Sequence, residues 1–266
     1  MPADPHDQTR SAQDPTPIIE VKGLTKVYGE DVTALQGVDL AFEAGKLTSL
    51  LGPSGCGKTT LLKIVAGLLK ATHGEVRVNG RVVDGPGPER AFVFQDFALL
   101  PWANVLDNVG FGLKMQGAAR RQREESARHY IEEVGLTGFE EKFPHELSGG
   151  MRQRVGLARA LAVNAEVLLM DEPFSAVDEQ TRRKFQEDLM QLRALENKTF
   201  LFVTHSIEEA VYVSDRIVLL SPRPGRVSQI IEPDIPQDLD PDELRRNSVY
   251  LDTVEQIWHG IRKYVE

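Results

Sequence analysis

The sequence predicts an α/β fold: a parallel sheet that carries an inserted helical subdomain and adjoins a small antiparallel sheet. Four short, nearly continuous apolar runs, residues 47–51, 91–94, 167–170 and 199–203, have the composition of strands covered on both faces. Each run is followed at once by glycine or polar residues: Gly52, Gln95, Asp171-Glu172 and Thr204-His205. Between Gln95 and Val167 the apolar spacing becomes helical.

The elements follow in chain order. Residues 1–16 are polar and proline-bearing without periodicity, and are expected to form a disordered tail. Residues 18–21, 38–42 and 74–78 are β-rich runs punctuated by glycine, the pattern of an antiparallel sheet wrapped around the first parallel strand and its helix over 61–66. Helices are expected over 107–115, 120–134 and 151–162, within an insert spanning about 97–160. Arg120, Arg121 and Arg123 precede Glu124 and Glu125 as a solvated face of i,i+4 ion pairs. The main domain is expected to span 17–235. From 236 to 266 an extension places Tyr250, Leu251, Val254, Ile257, Trp258, Ile261 and Tyr264 at three- and four-residue spacing, an amphipathic helix packing back on the core.

Composition excludes several classes. With 266 residues and 41% hydrophobic content the chain can bury a substantial core. Its net charge of −9 opposes non-specific attraction to nucleic acid or anionic lipid, so any phosphate site must be local. One cysteine, Cys56, allows no internal disulfide, and six scattered histidines lack paired metal-ligand spacing. The single cysteine fits a reducing cytoplasm, and the acidic start of the sequence with the absence of any long apolar run predicts a soluble protein.

In open α/β sheets ligands sit at the carboxyl ends of the strands, so the four strand ends are expected to converge on one site. Gly52-Pro53-Ser54-Gly55-Cys56-Gly57-Lys58-Thr59 matches G-x-x-x-x-G-K-[ST] between a strand and a helix. The glycines let backbone N–H groups wrap phosphates, with Thr60 following in the helix. Lys58 supplies charge to the β and γ groups, and the Thr59 hydroxyl ligates Mg²⁺. Cys56 is a small packing residue in that loop. Asp171 and Glu172 end an apolar strand, where carboxylates are costly unless a cation or a reaction uses them. Asp171 is assigned to Mg²⁺ and Glu172 to the attacking water. Finally, Leu147-Ser148-Gly149-Gly150 opens a helix with N–H groups and a hydroxyl free to receive an anion.

These motifs, with Gln95, Ser175-Ala176-Val177-Asp178 and Thr204-His205, occur in the order seen in ATP-binding cassette (ABC) proteins, and the chain resembles their nucleotide-binding subunits over residues 18–227. The resemblance implies a P-loop NTPase (RecA-like) core and two ATPs sandwiched between two head-to-tail copies, with Ser148, Gly149 and Gly150 acting on the partner's nucleotide. It further implies that His205 contacts the γ-phosphate and orients Glu172 and water, that Gln95 reaches Mg²⁺ and the water, that Asp178 crosses the dimer interface, and that adenine stacks on Tyr28. Val177 departs from the family's usual leucine and keeps its apolar character.

Leu100-Pro101-Trp102, Asn108-Val109, Gly149-Gly150-Met151-Arg152-Gln153-Arg154 and Ser221-Pro222-Arg223-Pro224-Gly225-Arg226 together resemble importer ATPases that serve nitrate, sulfonate, taurine and related small anions. The expected protein is then a peripheral ATPase on the cytoplasmic face of the inner membrane. Its partners would be integral membrane permease subunits and, through them, a periplasmic solute-binding protein, with no nucleic acid. In such importers the residues from Leu99 to Trp102 help receive a coupling helix of the permease, although Leu99 and Leu100 equally suit core packing. An exporter or lipid-transport ATPase shares every catalytic motif, and a soluble cassette ATPase acting on nucleic acid or ribosomes is the remaining alternative.

Overall fold

The computed structural model describes residues 17–175, 178–196, 198–236 and 240–264. The tail expected over 1–16, and Ala176 and Val177, lie outside them. Two sheets form the frame. The first is antiparallel, in the order β2-β1-β4-β5, with β1 at Ile19–Tyr28, β2 at Val32–Phe42, β4 at His73–Val78 and β5 at Arg81–Val82. The second has six strands in the order β10-β9-β3-β8-β7-β6. It contains the four expected parallel strands: β3 (Leu47–Leu51), β6 (Arg90–Val93), β7 (Val167–Asp171) and β8 (Thr199–Val203). It also contains two strands not anticipated above, β9 (Arg216–Leu220), parallel to β3, and β10 (Val227–Ile231), antiparallel to β9.

The continuous apolar runs arise because successive residues of one strand feed two cores. Leu168 and Met170 of β7 pack with the helical insert, whereas Val167 and Leu169 pack with the antiparallel sheet and α1 (Lys58–Val65). Phe200 and Phe202 of β8 face the first core, Leu201 and Val203 the second. Edge strand β6 is covered less completely, and its burial alternates accordingly.

The insert comprises α2 (Val105–Val109), α3 (Phe111–Met115), α4 (Arg120–Glu133) and α5 (Gly149–Ala162). The single helix expected over 107–115 is two. Asn104 starts α2 early by accepting the Asp107 N–H at 2.8 Å, and the chain is interrupted at Gly110, which closes α2 and opens α3. On α4, Arg120 pairs with Glu124 and Arg121 with Glu125 on exposed faces, as expected.

Two further helices complete the core: α6 (Glu179–Leu195) and α7 (Ile207–Val213). The C-terminal extension is also two helices, α8 (Pro241–Leu244) and α9 (Ser248–Arg262), because the Asn247 side chain caps a new start. α9 packs on α7 and β9 through Tyr250, Thr253 and Ile257, an i, i+3, i+7 stripe. Leu251 and Trp258, expected on that face, lie a step further round and are exposed.

Candidate functional site

The loop from β3 to α1 is shaped by close approach. A Cβ on Gly52 would stand 2.7 Å from the Leu220 carbonyl oxygen and 2.9 Å from Cys56 Sγ. A Cβ on Gly57, whose φ is 100°, would stand 2.6 Å from Leu35. Neither position has room for a side chain. The 221–226 turn lies under the loop: Gly225 donates to Ala34 O at 2.9 Å, and a Cβ there would fall on the Cys56 carbonyl. Cys56 itself is buried, and burial pushes its thiol up, so the sulfur stays protonated and acts by packing.

Lys58 is the loop's one charged side chain and is only 6% exposed. Its ammonium donates to Gly52 O at 2.7 Å and Pro53 O at 3.2 Å. Carbonyl oxygens satisfy its protons without cancelling its charge, which leaves a buried cation inside a ring of backbone. Next along α1, the Thr59 hydroxyl donates to Asp171 Oδ1 at 2.8 Å, joining the loop to the end of β7. Burial raises the Asp171 carboxyl above the usual carboxylate range, an effect the Thr59 hydrogen bond only partly offsets.

Glu172 follows in an uncommon backbone state, with φ of 47°. Its N–H donates to Val203 O at 3.0 Å, and Ser175 bonds to its carbonyl through both N–H and hydroxyl. That turn aims its carboxylate at β8, where Glu172 Oε2 lies 3.3 Å from His205 Nδ1. The His205 turn is supported from beneath. Buried Thr204 donates to Glu209 Oε2 at 2.5 Å and accepts the Ser206 N–H at 3.0 Å, while Arg182 of α6 approaches Glu209 at 3.6 Å.

Tyr28 is 42% exposed at the end of β1, its hydroxyl 3.3 Å from Thr60 Oγ1, with the Lys26 ammonium 5.2 Å from its ring. It offers an open aromatic face beside the loop. Gln95 is exposed where β6 enters a tight loop containing Phe97 and Ala98, both at positive φ. Arg159 of α5 donates to both of their carbonyls, at 2.6 and 2.8 Å, and burial lowers its guanidinium. Further on, buried Asn108 accepts from Leu100 N–H and donates to Leu100, Ala103 and Asn104 carbonyls. The amide rigidifies the segment that holds Trp102 out at 75% exposure, while Leu99 packs against the core.

Among the described residues Gln95, Ser148 and Asp178 form no hydrogen bond or ion pair with the Thr59, Asp171, Glu172 and His205 groups. Ser148 is exposed, and its oxygen accepts the Met151 N–H at 3.3 Å, capping α5 and leaving its hydroxyl proton free to donate. Asp178 is exposed and caps α6, accepting from the Thr181 N–H and hydroxyl, bonds that hold its carboxyl below the usual range. Among the described residues, the side-chain hydrogen bonds of both stay within their own helix starts. Arg159 and Glu209 are supporting residues outside the motifs, whereas Asn108 and Gly225 lie in stretches quoted above for their importer resemblance, where no packing role was assigned to them.

The ABC transporter family model matches residues 35–175. An uncharacterized ABC transporter ATP-binding protein of Methanocaldococcus jannaschii is 48% identical over 225 residues, covering 84% of each chain. The taurine import ATP-binding protein TauB of Escherichia coli is 49% identical over 210 residues, 79% of this chain and 82% of that one. Among solved structures, a dimeric ATP-binding cassette in a post-hydrolysis state with ADP and Pi superposes with a TM-score of 0.72 at 33% identity. That match covers 80% of this chain and 98% of the cassette.

Proposed function

Since the chain belongs to the ABC transporter family, as one of its ATP-hydrolysing cassettes, we propose that it powers the import of a small anion of the taurine, sulfonate or nitrate class. The observation that carries the catalytic part is the joint position of two contacts at adjacent strand ends: Thr59 with Asp171, and Glu172 with His205. One pair suits a cation, the other a water.

The residues fit magnesium. A hydroxyl and a desolvated carboxylate in contact form a hard-oxygen pair, so Thr59 and Asp171, with Gln95, are the groups that would hold Mg²⁺, whose chemistry there is to offset phosphate charge. Residues 52–60 cradle the phosphates of ATP, Lys58 turns its ammonium from loop carbonyls to phosphate oxygens, and Tyr28 stacks on adenine. Glu172 takes a proton from the attacking water while His205 holds that carboxylate in place and contacts the γ-phosphate. The P–O bond to the leaving group breaks as water oxygen bonds to phosphorus, giving ADP and Pi.

Ser148, Gly149 and Gly150 face the nucleotide of a second copy, and Asp178 meets that copy across the interface. The exposure of both helix starts and the dimeric state of the solved cassette support this reading. ATP thus closes a homodimer and hydrolysis reopens it. Trp102 and its neighbours would receive the permease, which engages the periplasmic solute-binding protein in turn. Among the described residues no helix is long and apolar enough to cross a membrane, so attachment at the cytoplasmic face would be peripheral.

Glu172→Gln tests the central assignment. It is expected to leave ATP binding intact, accumulate an ATP-bound dimer and lower turnover roughly 10²–10⁴-fold. Undiminished phosphate release would remove Glu172 from the role of base. The importer part is tested by ATP-dependent uptake of labelled taurine, sulfonate and nitrate in vesicles carrying the permease, where Trp102→Glu should uncouple hydrolysis from uptake.

A further inference from the structure

Helix α9 is anchored on one face and open on the next. Tyr250, Thr253 and Ile257 are buried, and the Tyr250 hydroxyl donates to Glu208 O in α7 at 3.3 Å. One step round the helix, Val254, Trp258 and Ile261 line a groove of about 550 Å³ whose other walls include Pro53, Ser54 and His205. The C-terminal extension therefore borders the outer rim of the phosphate loop and the histidine that pairs with Glu172. Trp258 is 55% exposed beside this groove, and Leu251, two turns back on the same stripe, is 52% exposed.

Large aromatic side chains left in water beside a concave apolar surface are the residues that most often anchor an interface. What covers this one follows from where it lies. Pro53 and Ser54 belong to the loop that presents the nucleotide, and His205 belongs to the catalytic pair, so the groove continues the surface on which the second cassette closes. A body seated on Ser54 and His205 reaches the groove without leaving that face.

We propose that α9 is part of the closing face: the groove formed by Val254, Trp258 and Ile261 with Pro53, Ser54 and His205 receives a second copy of this chain when ATP draws two cassettes together, with Trp258 as its anchor. This rests on the dimer reading above and adds a contact that no phosphate-binding motif supplies. It also gives the extension a way to act on catalysis. α9 holds α7 through Tyr250, and α7 begins directly after the His205 turn, so a second copy pressing on Trp258 bears on the position of His205.

The test uses full-length protein in the Glu172→Gln background with ATP and Mg²⁺, followed by sedimentation velocity. Trp258→Ser and Trp258→Glu are expected to weaken the ATP-dependent dimer roughly tenfold or more, with the affinity of the monomer for a fluorescent ATP analogue unchanged. A second readout leaves Trp258 intact. In Trp102→Phe protein it is the sole tryptophan, and its emission is expected to shift to the blue with ATP and not with ADP. This second readout decides the matter should the Trp258 variants melt early. If the Glu172→Gln protein forms no dimer with ATP, the dimer reading itself fails and this inference goes with it. If that protein dimerises and the Trp258 variants dimerise equally well, or the emission stays put on closure, the α9 contact is wrong and the dimer reading stands. A groove facing the permease would give that last result.

Discussion

The chain starts two helices with glycine turns suited to anions, and they are built in opposite ways. At α1 the turn is wrapped by its own chain: Gly52 and Gly57 touch neighbouring backbone and side chains, Lys58 is buried, and no side chain caps the helix. At α5 the turn is exposed, Ser148 caps the helix, and its remaining hydrogen-bonding capacity points to solvent. The difference teaches which turn can serve its own nucleotide. A cradle must be held rigid from behind, with charge stored inside it and helix N–H groups left for the ligand. A contact made in trans must lie on the surface and remain folded while alone, so it satisfies part of its own helix start.

The widest separation between the two turns should come from charge. Lys58→Ala is expected to weaken ATP binding by each separate chain and lower turnover roughly 10²–10³-fold, read by nucleotide titration and phosphate release. Ser148→Arg should cut turnover about 10²-fold while each chain still binds ATP as wild type does. Mixing the two inactive proteins sharpens the comparison: one composite site, with an intact loop from the Ser148→Arg chain and an intact Ser148 from the Lys58→Ala chain, should restore part of the activity. No recovery in any ratio would mean that the two turns do not meet across copies.

A smaller effect separates the support behind the loop from anything at the α5 turn. Burial holds the Asp171 carboxyl above its ordinary range, so the folded protein retains that proton better than the unfolded chain does. Stability of the nucleotide-free protein should therefore fall as pH rises from about 4 through the raised folded value, and Asp171→Asn should flatten that limb and raise stability at neutral pH. The same variant loses Mg²⁺-dependent turnover. Denaturant titrations across pH would show a steeper limb in the variant if the charge were in fact stabilising.

The smallest effect concerns capping alone. Ser148→Ala should cost roughly 0.5–1 kcal/mol of stability and Ser148→Gly only a few tenths, because glycine lets solvent reach the freed N–H groups. Thermal melts of the two variants measure the difference. Equal losses would show that Met151 N–H does not depend on the serine oxygen.

The sequence is legible where function forces local chemistry. The phosphate loop, the acid pair after β7 and the strand-end histidine are contiguous motifs whose residue types follow from phosphate and metal chemistry, and the structure brings Thr59 to Asp171 and Glu172 to His205. It is less legible where charge masks periodicity. α6 keeps an apolar stripe at Phe185, Leu189 and Leu192 inside a highly charged helix, and neither it nor α7 was anticipated. β9, although almost wholly apolar, was missed because no catalytic residue follows it. A residue that works through others was also hidden: Arg159 reaches the Ala98 carbonyl across 61 residues of chain.

By itself, then, the sequence determined the α/β core, the helical insert, the glycine loop proposed to hold phosphate and the identity of the groups that could act on water, because each of these rests on residue type and short-range spacing. Only the tertiary structure decided which glycine turn is braced from behind and which caps itself at the surface, that Glu172 reaches His205 from a left-handed turn, and that α9 comes to rest beside the 52–58 loop with Trp258 uncovered. Those outcomes depend on how distant segments share one packed interior, and the free energy that settles them comes from contacts no short stretch of chain contains.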